Sequence, residues 1–161
     1  MSSMMEQAQT EPSNQGAVAQ FSPSAPVKRI KRVGGRPLVF EGSELAMAMS
    51  YTPTLPYWYE TNLYRTTDNR FVACVRLFYV SADEQDTARA WECATLDEAI
   101  EKLVNYDAAA DVRLTMDYAS QDFCAAEMAA HALDIRARAK GYREHYASLI
   151  GEFLHDLDAP S

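Results

Sequence analysis

The sequence predicts an α+β fold: a three- or four-stranded antiparallel β-meander packed against a helix, followed by C-terminal helices and preceded by a disordered basic arm. Three observations predict it. Apolar residues alternate with period two on both sides of a turn at Asp68 and Asn69. A helix-start signature, TLDE at 95–98, opens an apolar stripe directly after the last alternating run. From Ser120 onward the composition turns strongly helical.

Charge divides the chain. Residues 1–37 carry five Lys/Arg against two acids, a net of +3, and the remainder carries a net of -11. Residues 1–26 are dominated by Ser, Gln, Ala and Pro, with one aromatic, Phe21. Such a composition buries too little apolar surface to offset its backbone entropy, which predicts disorder. Residues 1–50 are therefore expected to be a mostly disordered arm with a basic run at 28–37 and a docking segment at 38–50. Residues 51–161 are expected to be a single α+β domain. In the docking segment, Leu38, Val39 and Phe40 suit a short strand or a docking peptide, and Ser43 suits the cap of a brief helix through Met49.

Pro53 and Pro56 hold the approach to the domain extended. The hairpin follows, from YWYETNLYR into RFVACVRLFYV (residues 70–80), and then a third strand in TARAWECAT (87–95) with Trp91 and Cys93 on one face. Thr95 and Glu98 have capping-box spacing. Leu96, Ala99, Ile100 and Leu103 share a stripe, so this helix is expected to reach Tyr106. VRLTM (112–116) reads as a fourth strand or as the approach to the next helix. Phe123, Ala126, Ala130, Leu133 and Ala137 form one helical stripe. Tyr142, Tyr146, Leu149, Ile150, Phe153, Leu154 and Leu157 form another. Gly141 either separates two helices or merely interrupts one of about 50 Å, which would overhang so small a domain and need a partner, most simply a second copy.

The basic run supplies the first candidate site: Lys28, Arg29, Lys31, Arg32 and Arg36, followed by Leu38, Val39 and Phe40. Gly35, Arg36 and Pro37 with basic flanks resemble the core of an AT-hook, over about ten residues. Gly34 stands where that motif usually has Arg. The resemblance implies a minor-groove contact. The acidic body argues against nucleic acid elsewhere in the chain. Docking on an acidic protein surface is the competing role for the arm.

Both faces of the hairpin are apolar or aromatic, so whatever covers the second face is either more of the chain or a partner. Trp58, Tyr64, Phe78 and Trp91 on the sheet, with Tyr142, Tyr146, Leu149 and Phe153 on the C-terminal stripe, are the candidate interface, with a homodimer as the expected assembly. Glu127, His131 and Asp134 stand at i, i+4 and i+7 and form the one constellation that suits a metal-dependent enzyme. The bland reading is a solvated helix face.

The three cysteines, Cys74, Cys93 and Cys124, lie in apolar or alanine-rich stretches and are expected to be core thiols. No Gly-rich phosphate loop is present, and no catalytic residue set or cofactor is predicted. No apolar run approaches a membrane span, and the first residues lack a secretory pattern, which together predict a cytoplasmic protein. The composite expectation is a non-catalytic accessory, scaffold or regulatory protein working by protein–protein contact. A nucleic-acid accessory and a small metal enzyme are its rivals.

Overall fold

The computed structural model describes residues 25–112 and 124–158. Five strands form one antiparallel meander in chain order: β1 Val27–Ile30, β2 Leu38–Met49, β3 Tyr57–Thr66, β4 Phe71–Tyr79 and β5 Thr87–Cys93. Two helices follow, α1 Leu96–Asn105 and α2 Ala125–Asp158. The expected head at residues 1–24, most of VRLTM, and the helix start at 120–123 with Phe123 lie outside the described residues.

β3 and β4 make the predicted hairpin, with Trp58 opposite Phe78 and Leu63 opposite Ala73. Asn69 takes a left-handed φ of 62° at its turn, a conformation that Asn tolerates better than most residues. Alternation sends Tyr57, Tyr59 and Leu63 of β3, and Ala73, Val75 and Leu77 of β4, to the helix side. There they meet Ala99 and Leu103 of α1 and Tyr146, Leu149 and Phe153 of α2. Thr95 caps α1 by accepting from the Glu98 N–H at 3.2 Å, and the Glu98 carboxylate accepts from the Ala94 N–H rather than from that of Thr95.

The second sheet face is covered by the chain itself. Ile30, Leu38 and Phe40 bury against Tyr64, Val72, Cys74 and Ala90. β2 reaches across by changing neighbours along its length. Residues 38–41 pair with β1, and residues 42–49 pair with β3. The change falls at Gly42, where any Cβ would run into the Arg65 carbonyl oxygen. The loop after β1 then closes on the far edge, with the Val33 N–H donating to the Ala88 carbonyl at 2.8 Å. The sheet is thus curled, with β1 and its turn drawn toward β5.

Three expectations change here. The basic run is not a free arm, because residues 27–30 are strand and residues 31–37 are the hairpin loop. The brief helix expected after Ser43 is strand instead. Helix propensity separates ordinary residues by at most about 0.7 kcal/mol each, and pairing with β3 overrides it. The meander has five strands rather than three or four, since the expected docking segment supplies β2.

The C-terminal region takes the single-helix alternative. Gly141 sits inside α2 with nothing within 4 Å of a would-be Cβ, so it costs about 1 kcal/mol of propensity without breaking the helix. Its buried residues begin at Ala139. The stripe of Ala126, Ala130, Leu133 and Ala137 is exposed. At 100° per residue it points away from the side that carries Tyr146 and Phe153.

Candidate interaction surface

Burial sorts the sequence-predicted interface residues into two groups. Tyr142, Tyr146, Leu149 and Phe153 are buried against this chain's own sheet, so the C-terminal stripe is core and does not face a partner. Tyr142 stacks on Tyr57 at 3.9 Å, and the Tyr146 hydroxyl donates to the Leu103 carbonyl at 2.5 Å. Tyr59, fully buried, likewise donates to the Ala108 carbonyl at 2.6 Å. Burial pushes both phenols far above their ordinary titration range. Tyr64 is also withdrawn, buried beneath Phe40 with ring centroids 5.3 Å apart.

Trp58, Phe78 and Trp91 remain partly open. Trp58 and Phe78, directly opposite across β3 and β4, stack at 5.3 Å and 20°. Tyr51 meets Trp58 edge-on at 5.4 Å and is itself 56% exposed. These three rings form an apolar platform at one end of the curled face. Trp91 packs against Tyr106 and lines a cleft of about 560 Å³ whose rim carries Glu98, Glu101 and Lys102.

Between the platform and the cluster under Phe40 lies a polar network that the sequence pattern did not reveal. Asn62 is 2% exposed, and its amide donates to Glu44 Oε2 at 3.2 Å and Glu60 Oε1 at 3.0 Å. Its Oδ1 accepts from Arg76 Nη1 at 2.6 Å, and the same guanidinium bridges to Glu60 at 3.1 Å. A buried amide is tolerated because it is satisfied on both sides. On the opposite face, Arg89 grips Asp111 through Nε and Nη2, and the Tyr106 hydroxyl donates to the same carboxylate. The Arg89 fork holds the Asp111 carboxyl below the usual carboxylate range.

The basic residues are spread around the first hairpin. Arg32 is spent on structure, its Nε donating to the Arg36 carbonyl at 2.8 Å and Nη1 to the Ala90 carbonyl at 3.3 Å. Arg29, Lys31 and Arg36 are exposed, and Lys28 is half-buried. Leu38 and Phe40 are core, and Val39 is 52% exposed. The Gly-Gly-Arg-Pro segment begins inside the hairpin turn, where Gly34 has φ 75°. This hairpin differs from the flat extended peptide that the AT-hook resemblance implies.

Glu127, His131 and Asp134 all lie on the exposed part of α2, and among the described residues no group of three or more His, Cys, Asp or Glu could hold a metal. Helical spacing aligns the three, but among the described residues no further ligand joins them to complete a coordination sphere. The Glu127 carboxylate caps its own helix, accepting from the Cys124 N–H at 2.9 Å. Cys74 and Cys93 are buried as expected, with burial pushing the Cys74 thiol up to about 11. Cys124 is exposed, because it stands at the open end of α2.

Among the described residues no helix is long and apolar enough to cross a membrane. The described chain is a small α+β domain with an aromatic-rich sheet face and a long C-terminal helix. Comparison with known protein families, curated proteins and solved structures returns no match to this chain.

Proposed function

We propose that this chain is a non-catalytic accessory or scaffold protein that works by protein–protein contact, and that its first partner is a second copy of itself. The observation that carries this reading is the overhang of α2. Of its 34 residues, those buried begin at Ala139, and the preceding turns are solvent-exposed, including Met128 at 45% and Leu133 at 65%. Alanine-rich sequence and continuity with the anchored half favour helix through that portion.

Charge along the overhang favours a second copy. Glu127, His131, Asp134 and Arg138 fall at i, i+4, i+7 and i+11, one line along the helix. Two overhangs laid antiparallel about a twofold between Ala132 and Leu133 place Glu127 opposite Arg138 of the second copy, and His131 opposite Asp134. The line is self-complementary, as an isologous interface requires. Exposed pairs contribute only about 0.2–1 kcal/mol each, so they fix register while Met128 and its neighbours supply buried area. The Trp58–Phe78–Tyr51 platform and the exposed Arg29, Lys31 and Arg36 would then remain for a further protein with an acidic surface.

Sedimentation equilibrium at micromolar concentration tests this. The protein should dimerise, Arg138→Glu should weaken the dimer by about tenfold, and the double reversal Glu127→Arg with Arg138→Glu should restore it. A monomer throughout that range, or equal association of all three proteins, would sink the reading.

A further inference from the structure

The curled sheet closes at one point, where the Val33 N–H meets the Ala88 carbonyl. Beside that contact a cavity of about 260 Å³ separates Arg29 and Lys31 of the first hairpin from Asp86 and Ala88 around the start of β5, and Arg76 and Phe78 of β4 also line it. Among the described residues β1 pairs only with β2, so its other edge is open to this seam. An open strand edge is a template for another strand. We propose that the seam takes an extended acid–apolar–acid segment of a different protein as a strand added to β1. The inference deepens the reading of this chain as a protein-contact scaffold and rests on it, but it does not depend on the α2 dimer.

Register carries the proposal. The Gly42 N–H donates to the Pro26 carbonyl at 3.2 Å, so the bonded pairs of the first hairpin fall at Pro26, Lys28 and Ile30. The N–H and C=O groups of Val27 and Arg29, between them, turn to the open side. Ile30 is buried on the inner face of the curl against Tyr64 and Val72. Alternation then places the Arg29 side chain on the outer face, with Lys31 two residues on. Both are exposed, and neither enters an ion pair among the described residues. Phe78 lies on the inner face, half-buried and stacked on Trp58, which joins the seam to the aromatic platform. A strand beside β1 would set two side chains, two residues apart, next to Arg29 and Lys31. The side chain between them would turn inward toward Phe78.

Charge selects the occupant. Three cations and one carboxylate line the seam. Arg76 is committed to Glu60 and Asn62, and Asp86 accepts from the Tyr79 N–H at 3.1 Å. Arg29 and Lys31 are therefore the charges left to recognise a partner, and they call for carboxylates. A peptide backbone matches the alternating donors and acceptors of a strand edge. A phosphodiester backbone offers acceptors only, and it meets a chain of net charge -8. The sequence holds one acid–apolar–acid triplet of its own, Asp156, Leu157 and Asp158. That triplet is wound into α2 with Leu157 packed against the core, so a second copy does not supply the strand.

Fluorescence polarisation of the full chain with a labelled Glu-Val-Glu-Val-Glu peptide tests the assignment. This peptide should bind at least about tenfold more tightly than Glu-Glu-Glu-Val-Val, which has the same composition and charge but the wrong alternation for a strand edge. N-methylation of its middle glutamate, tested on the unaltered protein, should abolish that preference by removing a donor to β1 while keeping the charge. Arg29→Glu with Lys31→Glu should weaken binding by at least about tenfold. Arg138→Glu, which acts on the α2 dimer, should leave it unchanged. Equal binding of the two peptides, or indifference to the Arg29 and Lys31 changes, would overturn the proposal. So would tighter binding of a thymidine oligonucleotide, since the rim would then be a nucleic-acid contact. Absence of peptide binding by a protein that still dimerises in sedimentation would remove the seam alone and leave the scaffold reading standing.

Discussion

Alkali should unfold this protein through its buried tyrosines. Tyr59 and Tyr146 are 0% and 4% exposed, and Tyr106 is partly buried between Trp91 and Tyr146. Their hydroxyls donate to the Ala108 carbonyl, the Leu103 carbonyl and the Asp111 carboxylate, so ionisation would bury a phenolate against an oxygen. Burial raises all three, and for Tyr106 the Asp111 carboxylate adds to it. In the unfolded chain each titrates near pH 10. Below that pH both states hold the protons and the stability is intact. Above it the unfolded state releases protons that the folded state keeps, so stability falls as pH rises. At about pH 11 each tyrosine costs about 1.4 kcal/mol, and the three together about 4 kcal/mol, against a total of about 5–15 kcal/mol for a domain. With a slope of about 1.5 kcal/mol per molar, the urea midpoint should drop by about 2–3 M between about pH 8 and 11. Circular dichroism reads the midpoint, and tyrosinate absorbance reads ionisation in the native state. Tyr146→Phe should lessen the pH dependence by about a third. If all the tyrosines ionise near pH 10 while the native circular dichroism persists, the Tyr59, Tyr106 and Tyr146 hydroxyls are accessible to solvent and the reasoning fails.

Two further predictions concern packing. Thr61 is fully buried on the helix side of β3 with no hydrogen-bond partner for its hydroxyl, so Thr61→Val should raise stability by about 1 kcal/mol in urea unfolding; a loss would mean that the hydroxyl holds something in place. Two Gly→Ala changes should have opposite signs in the same assay. Gly42→Ala forces β2 off the Arg65 carbonyl and should cost about 2–3 kcal/mol, whereas Gly141→Ala meets open space on an exposed helix face and should gain about 1 kcal/mol.

The local elements were legible where side-chain pattern and turn chemistry agree. Alternation around Asp68 and Asn69 located β3 and β4, and Thr95 with Glu98 located the start of α1. The segment after Ser43 carries helix propensity in its Ala, Leu and Met residues, and nothing local reports the β3 edge waiting beside them. The inner network went unseen for a related reason. Asn62 and Arg76 lie four and two residues from Trp58 and Phe78 on alternating strands, and they read as ordinary solvent-facing positions until the hairpin folds over them. The overhang of α2 was legible as a length, but which of its two stripes faces the sheet was not. Both stripes are apolar, and only the sheet's position selects the one with Tyr146 and Phe153.

By itself the sequence determined the α+β class, the meander core, the capped first helix, the division of charge and an apolar second sheet face that had to be covered. Tertiary structure alone decided what covers it. The first hairpin folds back, putting Ile30, Leu38 and Phe40 over Val72 and Cys74, and the basic residues move from a free arm to its rim. Local pattern records which residues must leave water. The occupant of a face depends on contacts between residues far apart in the chain, here Val33 with Ala88 and Phe40 with Tyr64, and those exist only once the sheet has curled.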